Sequence, residues 1–184
     1  MNHDEMGVQR DEMDQPDESP PSRLGPPALS PSAHDMGTVQ VLSFRLGDQL
    51  YGLDVSVVYE VSRMVTITEL PDSPPEVLGV VNYRGHIIPV IDLRIRFGLP
   101  APEGNLHLPI IIAWNARHAL GLVVDEVREV MSLEPKTLMS PDDFGQAAHY
   151  IAAVARLDDG LLLVINPADL VIDEVTAQAI DPTA

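Results

Sequence analysis

From Val39 onward the apolar residues fall in short runs of valine, isoleucine and leucine, cut by Gly, Asp, Asn and Pro instead of recurring at helical spacing. Val39, Val41, Ser43 and Arg45 alternate with Gln40, Leu42, Phe44 and Leu46, as in a strand whose successive side chains point to opposite faces. Gly47–Asp48 then turns the chain into Gln49–Leu53, which predicts a hairpin. The same punctuation occurs at Asn82–Gly85 before His86–Ile91, at Asn115–Ala116–Arg117 before His118–Val124, and at Asp158–Asp159–Gly160 before Leu161–Ile165. Helical signals are few. Leu93–Phe97 is closed by Gly98, and Pro167–Ile172 has Asn166 as a cap and proline at its first position, so each predicts one or two turns. Leu99–Leu108, with Pro100, Pro102 and Gly104, is the expected interior linker.

The pattern repeats. Gly52-Leu53-Asp54-Val55-Ser56-Val57-Val58-Tyr59-Glu60-Val61 aligns without a gap on Gly121-Leu122-Val123-Val124-Asp125-Glu126-Val127-Arg128-Glu129-Val130, 69 residues later, with six of ten positions identical. Backwards, the register sets Val39–Phe44 on Leu108–Ala113 and turn Gly47–Asp48 on Ala116–Arg117. Forwards, an offset of about 74 pairs Gly79-Val80 with Ala153-Val154 and, one residue further, Gly85 with Gly160. Chance agreement between valine-rich strands is the alternative, but the turns agree on both sides, which favours two related β lobes. Five short strands per lobe suit a small barrel, which also removes exposed edges, and a cleft then runs between the lobes.

Composition narrows the function. In 184 residues there are 28 acidic and 11 basic side chains, a formal charge of −17, and no cysteine. A disulfide scaffold, a thiolate nucleophile and Cys-ligated metal are thereby excluded, and the cytoplasm is the expected compartment. The charge repels phosphate backbones and no three Lys or Arg cluster, so nucleic-acid binding is not expected. Apolar runs such as Leu161–Ile165 fall far short of the roughly 20 residues of a membrane span, and the N-terminus has no apolar signal core, so no membrane insertion is expected. Residues 1–38 hold six Pro, eight Asp or Glu, two Arg and no aromatic, too little apolar surface to offset the entropy of ordering. A disordered acidic tail is expected there; a true start at Met36 is the alternative.

Catalytic constellations are missing from the pattern: no G-x-S-x-G, no phosphate loop, no G-x-G-x-x-G and no H-E-x-x-H. His3, His34, His86, His107, His118 and His149 are scattered, and no cofactor or metal is expected. Asp125–Glu126, Asp142–Asp143 and Asp158–Asp159 read as solvated turns, since strand neighbours point to opposite faces. The run Val77–Arg94 is more specific. An apolar strand enters the turn Asn82-Tyr83-Arg84-Gly85, and the next strand ends on Asp92 and Arg94. An arginine held on a turn by the following glycine is a five-donor fork displayed at the end of a lobe. A solvated turn is the plainer reading of that spacing.

Phe44-Arg45-Leu46-Gly47-Asp48, Tyr51-Gly52-Leu53-Asp54-Val55, Val58-Tyr59-Glu60-Val61, Gly79-Val80-Val81-Asn82-Tyr83-Arg84-Gly85 and Ile88-Pro89-Val90-Ile91-Asp92-Leu93-Arg94 together resemble the CheW family of chemotaxis coupling proteins, over about Val39 to Val175. The resemblance implies an all-β fold of two packed SH3-like five-stranded β-barrels, with short helices beside the disordered tail. It places a CheW-like domain at 39–175, with lobes of roughly 39–105 and 106–175, exchange of terminal strands between them left open, and a C-terminal tail at 176–184. It implies a non-enzymatic adaptor that joins the cytoplasmic tip of methyl-accepting chemoreceptors to the C-terminal regulatory domain of a CheA-type histidine kinase. By the same resemblance Val58, Glu60, Gly79, Arg84 and Val130 are the partner-contact residues, with Glu60 placed to pair with Arg84. Core packing for Val58 and Val130, and backbone demands for Gly79, are the competing readings. With the sequence ending at Ala184, a fused receiver domain is not expected.

Departures from the family pattern bear on the partner. Tyr83 stands where leucine is usual, His86 at a commonly apolar position, and the acidic tail outside the family domain. An accessory coupling protein of a pili or surface-sensing array fits such drift. Outside chemotaxis, an SH3-like module for Pro-rich peptides, the tail included, is the alternative; against it, such grooves are lined with aromatics, and here one Trp and seven Tyr or Phe serve the whole chain.

Overall fold

The computed structural model describes residues 37–63, 66–100, 108–114, 118–140 and 149–170. Expectations for residues 1–36, 101–107, the turn 115–117, Asp142–Asp143 and 171–184 lie outside them. Among the described residues eleven strands form: β1 (Val39–Leu46), β2 (Gln49–Asp54), β3 (Val58–Arg63), β4 (Val77–Tyr83), β5 (His86–Asp92), β6 (Pro109–Trp114), β7 (Ala119–Val123), β8 (Glu126–Leu133), β9 (Leu138–Met139), β10 (Ile151–Leu157) and β11 (Gly160–Ile165). They make two sheets, in the orders β8-β1-β2-β11-β10-β9 and β3-β6-β7-β5-β4. The first uses both ends of the domain and is here the terminal lobe; the second is the central lobe. The expected two-residue turns stand at Gly47–Asp48, Arg84–Gly85 and Asp158–Asp159. A single helical turn, α1 (Leu93–Arg96), is capped by Asp92, and Asn166 caps a 3-10 turn at Pro167–Asp169.

The repeat is real in three dimensions. Antiparallel β1–β2 has its counterpart in β6–β7, β4–β5 in β10–β11, and parallel β2–β11 in β7–β5. Registers agree residue for residue: Val164 faces Gly52 as Val90 faces Gly121, and Leu42 faces Val130 as Ile111 faces Val61. Irregularities recur too, with register shifts between Val77 and Gly79 and between Ile151 and Ala153. Even the sixth strand has a mate, since β9 pairs Met139 with Val154 where an isolated bridge pairs Thr68 with Val80. The offset of 74 runs through the turn, so Gly160 corresponds to His86 and not to Gly85.

One boundary differs from expectation. The sheets do not divide the domain near residue 105, because the third strand of each repeat pairs with the first strand of the other: β3 with β6, and β8 with β1. The chain crosses between sheets at Val55–Val57 and at Val124–Asp125, equivalent positions of the repeat. The first two strands of each repeat thus join the later strands of the other, β1–β2 with β8–β11 and β6–β7 with β3–β5, and this exchange interlocks the repeats.

Burial follows from this packing. Val81, Ile88, Val90, Ile110, Ile112 and Val123 fill the central lobe, while Val41, Leu133, Ala155, Leu162 and Val164 fill the terminal one. A larger cluster, including Leu42, Phe44, Leu53, Ile91, Leu93, Ile111, Leu120, Leu122 and Ile165, joins the two lobes. Strands such as β7 are buried on both faces because each face meets a different core. The charged groups buried among the described residues are Asp92 and Arg94. Arg94 donates to both Asp92 oxygens, at 3.0 and 2.5 Å, and to Asp125 at 3.2 Å. Asp125 in turn accepts from the Gly47 N–H at 2.7 Å, which ties the second crossover to the β1–β2 turn.

Candidate functional site

Glu60 lies on β3 and Arg84 on the β4–β5 turn, so they come from strands at opposite edges of the central sheet. Arg84 Nη2 donates to Glu60 Oε2 at 2.7 Å, and the Tyr83 hydroxyl donates to the same oxygen at 3.0 Å. These contacts reach from one edge of the sheet to the other. The Arg84 guanidinium also sits 5.1 Å from the centre of the Tyr83 ring, within cation–π range. Arg84 is 69% exposed at its side chain, Glu60 39%. Burial, followed by the hydrogen bond to Glu60, holds the Tyr83 phenol pKa above its usual value.

The turn itself is conformationally costly. Arg84 has φ 52° and Gly85 φ 85°, with the Gly85 N–H bonded to Asn82 Oδ1 at 2.9 Å. Arg84 and Asp72 are the non-glycine residues with positive φ among those described. A fork displayed at such a point is carried in the left-handed region that only glycine adopts freely.

The remaining sequence-derived positions separate. Gly79, on β4, has φ 135°, and a Cβ there would stand 2.1 Å from the Thr68 carbonyl oxygen, so the backbone demands glycine. Val58 is half-buried and packs on the core between the lobes. Val130 belongs to the other lobe, on β8, and is 53% exposed. The structure thus joins Glu60 and Arg84 directly, keeps Gly79 and Val58 in the same lobe, and sets Val130 apart.

Several features were not found from sequence. Tyr83, in the sequence only a departure from the family pattern, contacts both Glu60 and Arg84. The large exposed hydrophobics among the described residues are Val61, Ile87, Val130 and Leu161, which form two equivalent pairs of the repeat, Val61 with Val130 and Ile87 with Leu161. Extending the repeat alignment through the turns would have exposed that pairing. At the corresponding end of the terminal lobe lies a groove of about 690 Å³ walled by Arg45, Arg128 and Arg156 and rimmed by Asp158, Asp159 and Leu161. Beside the central site, the Tyr59 hydroxyl is enclosed without a hydrogen-bond partner among the described residues, and burial raises its pKa. No three His, Asp or Glu among the described residues group as a metal site, and no helix among them is long and apolar enough to cross a membrane.

Comparison with known proteins agrees with this architecture. A family model described as the CheW-like domain matches residues 40–175. The chemotaxis protein CheW of Klebsiella aerogenes is 29% identical over 140 residues, covering 75% of this chain and 84% of that protein. CheW of Treponema pallidum is 31% identical over 133 residues, covering 69% of this chain and 78% of that protein. Among solved structures, the scaffolding protein TtCheW of Thermoanaerobacter tengcongensis superposes with a TM-score of 0.64 at 33% identity, covering 70% of this chain and 88% of that one.

Proposed function

This chain belongs to the CheW-like family of chemotaxis scaffold proteins, and from that premise we propose that it couples methyl-accepting chemoreceptors to a CheA-type histidine kinase in the cytoplasm. The observation that carries the reading is the Glu60–Arg84 pair, displayed on a strained turn at the end of the central lobe with exposed apolar Ile87 three residues on. Such a surface is built to bind, since it combines a rigid donor fork with an apolar neighbour and costs backbone strain that the fold has no need of. In this reading the kinase contributes its C-terminal regulatory domain and the receptor its cytoplasmic helical tip, and no chemistry occurs on the adaptor.

Val58, Gly79 and Val130 enter the proposal in different ways. Val130 offers exposed apolar area on the terminal lobe, whereas Val58 and Gly79 shape the central lobe around the Glu60–Arg84 pair. Scaffolding then consists in holding two partners at a fixed separation, which the core shared by the lobes makes rigid.

Isothermal calorimetry of the full-length protein against the regulatory domain of each CheA-type kinase from the same organism, and against receptor-tip fragments, tests the proposal. A 1:1 complex with one kinase is expected. Arg84→Ala is expected to weaken one partner by about 2 kcal/mol as an interface hot spot, with the melting temperature little changed. Absence of binding to every kinase domain and receptor tip overturns the proposal.

A further inference from the structure

We infer that Tyr83 is a positioning residue that locks the Glu60–Arg84 pair in one geometry, so that the open edge of the Arg84 guanidinium is presented to a carboxylate on the partner. The inference deepens the function proposed above and rests on it for the partner.

Three observations carry it. First, one carboxylate oxygen, Glu60 Oε2, takes hydrogen bonds from both Tyr83 and Arg84, while the Tyr83 ring lies against the guanidinium. Glu60 engages Nη2 of Arg84, and no hydrogen bond from another donor of that guanidinium is made among the described residues, so those donors stay available to a planar anion. Second, an ion pair this exposed holds two long side chains weakly by itself, and a half-buried aromatic that grips both partners supplies the missing constraint.

Third, the molecule contains its own control. The repeat sets Glu60, Tyr83 and Arg84 on Glu129, Leu157 and Asp158 of the terminal lobe. That β10–β11 hairpin forms with leucine and aspartate in place of tyrosine and arginine, and without a positive φ at Asp158. The barrel therefore requires neither Tyr83 nor Arg84, and the charge displayed at the two turns has opposite sign. A carboxylate-bearing partner surface suits the Arg84 turn and is repelled by the aspartate turn.

Side-chain ¹⁵N relaxation of Arg84 in the full-length protein reads the positioning without any partner. A restricted guanidinium is expected in the wild type, partly released in Tyr83→Phe, which keeps the ring, and fully mobile in Tyr83→Leu, a side chain the equivalent hairpin already accommodates. Glu60→Gln is expected to lower the Tyr83 phenol pKa part of the way to its ordinary value, because burial, the larger cause, remains. In calorimetry against the kinase regulatory domain, Tyr83→Leu is expected to cost about threefold to tenfold in affinity, the entropy of one immobilised side chain, and to cost nothing further in an Arg84→Ala background. An equally restricted Arg84 in Tyr83→Leu, or losses that simply add in the double variant, overturns the inference. If the wild type binds neither kinase domain nor receptor tip, the coupling proposal fails while the relaxation measurement still decides the role of Tyr83.

Discussion

Arg84 occupies a backbone position better suited to asparagine or glycine. Its φ of 52° and the 85° of Gly85 give positive values at both central residues of a two-residue hairpin, the type I′ pattern that favours Asn-Gly. Arg84→Asn is accordingly expected to raise the unfolding free energy by about 1 kcal/mol while partner binding falls. Denaturant melts beside calorimetry check this, and a variant less stable than the wild type contradicts it. The arginine was legible in sequence because Asn82 and Gly85 define its turn within four residues. Tyr83 was not, since its partner Glu60 lies 23 residues away on a strand that adjoins it only after the sheet closes.

At the scale of strands, glycine marks where neighbouring atoms leave no room for a side chain. A Cβ on Gly52 would meet Val41 at 2.3 Å, and one on its mate Gly121 would meet Ile110 and Val90 at 3.2 Å. Gly79 is more constrained, because the atom in its way is the Thr68 carbonyl oxygen, which accepts from the Val80 N–H at 2.8 Å and cannot retreat without breaking that bond. Its counterpart Ala153 carries a side chain in the same register. Gly79→Ala is expected to cost about 3 kcal/mol or more, against about 1 kcal/mol for Ala153→Gly. Urea unfolding of the two variants gives the comparison, and equal costs would refute the backbone account. Hairpins were readable because a turn and its two strands are contiguous. The pairing of β3 with β6 and of β8 with β1 was not, since Val58 finds Ala113 through burial and no local signal names a strand's distant partner.

For the whole molecule, the four tyrosines act together. Tyr51, Tyr59, Tyr83 and Tyr150 all have pKa values raised above the ordinary 10.0, with burial the first cause in each. The folded state then keeps phenol protons that the unfolded state releases, so stability is intact below about pH 10 and falls as pH climbs toward the folded-state values. Urea midpoints that drop through this alkaline range, in step with tyrosinate absorbance, are expected; constant midpoints would contradict it. Three stacked or tilted ring contacts, Phe44–Tyr51, Tyr51–Phe97 and Phe97–Tyr150, place two of these phenols near the core between the lobes. Sequence by itself determined the all-β class, the two-residue turns, the internal repeat and the motif order of the family, because period, turn chemistry and spacing are properties of contiguous residues. Tertiary structure alone decided which strands of each repeat join which sheet, that β7 is buried on both faces, that Arg94 and Asp125 tie a crossover to a turn, and that Tyr83 reaches Glu60. Each of these depends on which distant surfaces become buried together, a choice made by the packing of the entire chain.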